Sequence, residues 1–221
     1  MEALTEITVD GKATIAAEPD TISLLIGINQ RAGTYADAVE KLNEAGRTVS
    51  VALSNSGVAD KAKTREFSIN EDWEHKFDSD KRKLIGYEGV QQLVVDFPLN
   101  MVTLGKVLQE MGEVECRPSI NTYFKVLDQA AMYQTARREA LQAAATTASE
   151  IAEQLGLTVI GIKTVTHAMA RDESKFSLHV AFESDPSVKA SLSVPDVVPE
   201  EVSSTVSISV VFQATYISRA A

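Results

Sequence analysis

From Ile7 onward, apolar residues fall on alternate positions: Ile7, Val9, Ala13, Ile15 and Ala17, with Thr8, Asp10, Lys12 and Thr14 between them. A period of two belongs to a strand with one buried face. Pro19 breaks the run, and the apolar phase then moves to Ile22, Leu24, Ile26 and Ile28. That change predicts a bend or bulge, after which the chain continues as a second strand. Next the period lengthens: Tyr35, Ala38, Val39, Leu42, Ala45, Val49, Ala52 and Leu53 trace the stripe of an amphipathic helix. Thr34 is suited to cap it, Asp37 lies near its positive end, and the residues Ser54 to Gly57 supply its stop.

Two further strands are predicted at about 64 to 75 and 84 to 97, separated by a strongly charged connection. Pro98 and Asn100 open a shorter helix with Met101, Leu104, Val107, Leu108 and Met111 on one face, and Gly112 closes it. A strand from about 114 to 126 follows. Read from Thr21, the order is strand, helix, strand, strand, helix, strand. This is the α+β, ferredoxin-like βαββαβ pattern, with an antiparallel sheet core over about 20 to 126 and the helices packed on one sheet face.

A long helix comes next, with Met132, Ala136, Leu141, Ala144, Ala148, Ile151, Ala152 and Leu155 as its stripe and Gly156 at its end. Its small side chains suit close packing on a neighbour. Large apolar residues every 3.5 positions, which a coiled coil needs, do not recur. Arg137, Arg138, Glu139, Glu150 and Glu153 read as solvated positions. A strand at about 157 to 166 follows, then a weaker apolar segment at 176 to 182, and then a proline- and serine-rich stretch, 183 to 201, which reads as a mobile loop. The last element alternates Val206, Ile208, Val210, Phe212, Ala214 and Tyr216 with mostly polar neighbours, and a strand of that length should pair inside a sheet or with another subunit. The whole reads as one domain over 1 to 221, or as two αβ sub-lobes over about 1 to 127 and 128 to 221.

Composition narrows the chemistry. A chain of 221 residues, 44% of them hydrophobic, can bury a sizeable core. Its longest apolar runs, such as Leu24 to Ile26 and Leu93 to Val95, fall far short of the roughly 20 residues of a membrane helix, so no transmembrane segment is expected. The start, "MEALTEITVDG", has no basic region followed by an apolar one, which makes the sequence as it stands read as cytoplasmic. A net charge of −10, with no basic cluster, argues against nucleic acid as a partner. The single cysteine, Cys116, excludes an intramolecular disulfide and a cysteine-based zinc cage.

No dinucleotide, Walker or nucleophile-elbow motif occurs. His75, His167 and His179 are widely spaced, although the last two could meet across adjacent strands. Asp72, Glu74, His75, Asp78 and Asp80 offer the best local set of hard ligands. They lack the order of a calcium loop, and Lys76, Lys81, Arg82 and Lys83 oppose their field. The stretch reads instead as a charged hairpin connection in which Trp73 and Phe77 anchor the turn or dock a partner. Asp20 reads as a turn former rather than a general base. Cys116, followed by Arg117, would be a redox reporter if the arginine favoured its thiolate. No catalytic, cofactor-binding or metal-binding residue is assigned.

The segments "ITVDGKATIAAEPDTISLLIGI", "ALSNSGV", "EALQAAATTASEIAEQLGLTVIGIKTVT" and "VSISVVFQATYI" resemble, in order, the signature segments of the SIMPL-domain family, also called DUF541. Most specific are the bend through Gly11, Ala13, Pro19 and Asp20 and the small-residue helix leading to Leu155 and Gly156. Both are packing and turn features. The resemblance implies a protein of a family named for an animal member that associates with a pelle-like kinase. Bacterial members are mostly exported, periplasmic or envelope-associated, are linked to oxidative-stress defence, and can form large ring-like oligomers. A periplasmic or envelope location follows by resemblance if a signal peptide has been removed.

The expectation is therefore a non-enzymatic protein without cofactor that acts by forming a homo-oligomer or by binding another protein, through strand edges and the 183 to 201 loop. The alternative is a small-ligand-binding protein or enzyme with its pocket between sheet and loop.

Overall fold

Pro19 marks the place where the chain leaves one sheet for another. In the computed structural model, which describes residues 4–75, 82–168, 177–180 and 199–216, β1 (Thr5–Ala17) and β2 (Thr21–Ala32) lie in different sheets. The expected bend or bulge is thus a crossing between sheets, which explains why the apolar phase changes there. The remaining elements are α1 (Tyr35–Asn55), a 3-10 turn (Ala59–Lys61), β3 (Ala62–His75), β4 (Arg82–Pro98), α2 (Met101–Gly112), β5 (Ser119–Lys125), α3 (Gln129–Gln154), β6 (Leu157–Ala168), β7 (Ser177–Val180) and β8 (Val202–Tyr216). They divide into two compact units.

The first unit holds a sheet of order β3-β4-β2-β5-β7, with neighbouring strands antiparallel. Its first four strands, with α1 and α2, are the ferredoxin-like arrangement read from the sequence. The even positions of β2, Ile22, Leu24, Ile26 and Ile28, are fully buried together with Leu42, Val49, Leu104, Val107, Val95 and Ile120. This apolar face carries the helices. Thr34 caps α1 by accepting from the Asp37 N–H at 3.2 Å, and Asn100 caps α2 by accepting from the Thr103 N–H at 3.0 Å. β5 begins at Ser119 rather than near 114, because Arg117 adopts φ 45° and its N–H donates to the Val114 carbonyl at 3.1 Å. Pro118 then has no N–H with which to enter a ladder.

The second unit is a three-stranded antiparallel sheet, β1-β8-β6, covered by α3. The regular final strand is its centre. Val206, Ile208, Val210, Phe212 and Ala214 are buried as expected, whereas Tyr216 at the strand end is exposed. The face of α3 differs from the expected stripe: Met132, Ala136, Ala140, Ala144, Ala148 and Ala152 are buried, while Leu141 and Leu155 are exposed. Spacing by four makes one continuous ridge, inclined to the helix axis, that follows a twisted sheet. The two leucines lie off this ridge. Asp128 caps α3 through its Oδ1 on the Ala131 N–H at 2.8 Å, and Gly156 ends it at φ 66°, a conformation side chains disfavour.

Arg137, Arg138, Glu139, Glu150 and Glu153 are exposed, as expected. Among the described residues, no helix is long and apolar enough to cross a membrane. The 183 to 201 stretch lies, up to residue 198, outside the described residues.

Candidate functional site

The charged hairpin is only partly within the described residues. Asp72 is engaged: the Arg31 Nε lies 3.5 Å from its Oδ2 and 3.4 Å from Glu88 Oε1. Trp73 donates from Nε1 to Glu71 Oε2 at 3.1 Å and remains 43% exposed. Phe77, Asp78 and Asp80, with Lys76 and Lys81, lie outside the described residues, as do the side chains of Glu74, His75 and Arg82. Among the described residues, no three histidine, cysteine, aspartate or glutamate side chains gather to hold a metal ion.

His167 and His179 do not lie on adjacent strands. His167 is in register with Ile208 on β8, and His179 with Asn121 on β5, in the other sheet. Cys116 packs partly against the core of the first unit, and burial pushes its thiol up from the ordinary value, with a backbone hydrogen bond offsetting part of that effect. The direction is opposite to the thiolate stabilisation considered for the Cys116–Arg117 pair. Asp20 ties strand ends together. Thr21 Oγ1 donates to its Oδ1 at 2.7 Å, its N–H donates to the Lys125 carbonyl at 3.2 Å, and its carbonyl accepts from the Leu99 N–H at 2.7 Å. The two backbone bonds extend the ladders of β2 toward the end of β5 and just past the end of β4.

One polar cluster was not anticipated. On the sheet face opposite the helices, Asp96 accepts from Ser23 Oγ at 2.6 Å and from Lys125 Nζ at 2.8 Å. Burial alone would raise the Asp96 carboxyl. The hydrogen bonds from Lys125 and Ser23, with the charges of Lys125 and Lys63, outweigh it and hold the group below its ordinary range. A carboxylate so stabilised is a weak base, and the Ser23 proton is committed to it, so the cluster is a clasp between β2, β4 and β5 rather than a nucleophile with its activator. Its signal in the sequence was a charge inside an apolar run, Asp96 after Leu93-Val94-Val95 and Lys125 after Phe124.

The sheet ends present the other notable surfaces. Among the described residues, β3 is hydrogen-bonded to β4 alone, and its residues Lys63 to Phe67 are exposed. Among the described residues, β6 is paired to β8 alone, with Ile160, Ile162 and Val165 each more than half exposed. Two register shifts interrupt β6, between Val159 and Gly161 and between Ile162 and Thr164. On the polar face of that sheet, Lys163 pairs with Glu6 of β1. Edges of this kind can add a strand, or can be blunted by bulges and charges.

The family model described as SIMPL, a protein of unknown function (DUF541), matches residues 7–212. A search of curated proteins finds no match. The matched span takes in β1 through most of β8, so both sheets and all three α-helices described above fall within it.

Proposed function

Because the chain belongs to the SIMPL family of proteins of unknown function, a membership that specifies no reaction, we propose that it works as a non-enzymatic scaffold that assembles with itself or docks another protein through its strand edges. The observation that carries this reading is β3, a 14-residue strand at the end of its sheet whose Phe67 is 50% exposed and whose Trp73 is 43% exposed. Backbone groups on such an edge supply affinity, and the side chains that flank them select the partner. β6, with its exposed isoleucines and valine, is a second edge, and each of the two edges is interrupted by two register shifts.

A role in the cell envelope or in defence against oxidative stress, which the family resemblance implies, would be exercised through such an assembly. The raised thiol of Cys116 gives no support to a role exercised by that cysteine. Native mass spectrometry of the purified chain tests the proposal. A defined homo-oligomer supports it. A monomer carrying a stoichiometric small molecule would favour the ligand-binding or enzymatic alternative.

A further inference from the structure

The geometry points to β3 as the edge on which a second copy of this chain docks, the two β3 strands pairing antiparallel about a two-fold axis at Ser68. This rests on the assembly reading above and gives it a surface and a symmetry.

Charges on an edge strand commonly serve to keep other chains away. On β3 they are sorted by sign along the strand. Lys63 and Arg65 stand near its start and Glu71 and Asp72 toward its end, with Glu66 as the exception; Lys61, just before the strand, is paired with Asp60, and Asp72 lies beside Arg31. A copy arriving parallel would set like charge against like, whereas an antiparallel copy sets basic against acidic. The pattern therefore rejects one orientation and accepts the other. Arg65 makes no ion pair among the described residues, and Lys63 acts on Asp96 only as a distant charge.

With the axis at Ser68, Phe67 falls opposite Ile69 of the second copy, and Arg65, the extra residue of the register shift between Thr64 and Glu66, comes beside Glu71. Phe67 and Ile69 are in register with Gln91 and Gly89 of β4, so both lie on the helix-bearing face, as cross-strand neighbours must. Ile69 is already packed against the core, and Phe67 beside it is half exposed. Two-fold symmetry repeats each of these pairs, and the product is one continuous sheet of order β7-β5-β2-β4-β3-β3-β4-β2-β5-β7.

The test uses the full chain and light scattering across micromolar concentrations. The parent is expected to form a dimer or an assembly built of dimers. Lys63→Glu with Arg65→Glu makes the whole edge acidic and is expected to weaken association at least tenfold. Adding Glu71→Lys restores an opposite-sign arrangement and is expected to recover it, a rescue that damaged folding would not give. In a Cys116→Ala background, Ser68→Cys is expected to cross-link to itself under mild oxidation. An assembly that persists in the double variant overturns the β3 edge and leaves the scaffold reading standing. Dissociation without rescue, or no cross-link in an assembled Ser68→Cys chain, also overturns this pairing. A parent that stays monomeric throughout overturns this pairing and self-assembly, and leaves only the docking of another protein.

Discussion

Gly11 of β1 lies so close beneath Ala140 of α3 that a Cβ placed on it would stand 2.0 Å from the Ala140 carbonyl oxygen and 2.9 Å from the Ala144 Cβ. The nearest atom is backbone, so no side-chain rotation can relieve the contact. The alanine ridge of α3 and the missing side chain at position 11 are two halves of one fit.

Gly11→Ala should therefore destabilise the protein, although alanine ordinarily suits an extended strand better than glycine. Separation of β1 from α3 should cost about 3 kcal/mol, the upper end for overpacking. Chemical denaturation would show it as a lower midpoint at unchanged slope. A midpoint equal to the parent's would mean that the helix does not lie this close.

The same fit predicts a contrast along the helix. Ala144 is fully buried and Ala145 is exposed. Ala144→Leu should cost about 1–3 kcal/mol, whereas Ala145→Leu should stay within about 0.5 kcal/mol of the parent. Thermal unfolding of the two variants side by side measures the difference.

Thr122 is fully buried in β5, and its hydroxyl has no hydrogen-bond partner among the described residues. An orphaned buried hydroxyl is costly, and valine has nearly its shape. Thr122→Val should raise stability by about 1 kcal/mol in urea unfolding. Thr122→Ser, which keeps the hydroxyl and opens a small void, should lower it.

The Asp96 clasp gives a pH dependence with a definite sign. Its carboxyl is held below the ordinary value in the folded chain, so it binds a proton more readily when unfolded. Its contribution is present above the unfolded value of about 3.9 and is lost as pH falls through the lower, folded one. The ion pair is partly exposed, which limits the effect to a few tenths to about 1 kcal/mol. Asp96→Asn should flatten the acid limb of a stability-against-pH curve and leave its shape near neutrality unchanged.

The ferredoxin-like core was legible because its elements announce themselves locally. The even positions of β2 and the cap at Thr34 follow from spacing and from one hydroxyl. The phase change at Pro19 was visible, but its meaning was not. Pairing of β1 with β8, where Ile7 faces Phe212 across the whole length of the chain, is a long-range fact that no local period encodes. The ridge of α3 was misread at Leu141 and Leu155 because alanine carries a weak hydrophobic signal and leucine a strong one. The polar clasp was missed for a related reason: Ser23, Asp96 and Lys125 come from three strands and meet only through register.

Sedimentation velocity of the unmodified chain over a range of micromolar concentrations tests the scaffold account most directly. The account predicts a species larger than the monomer, an even number of subunits in size, whose population grows with concentration. A single monomeric boundary at every concentration would contradict self-assembly, the central claim, and leave only docking of another protein.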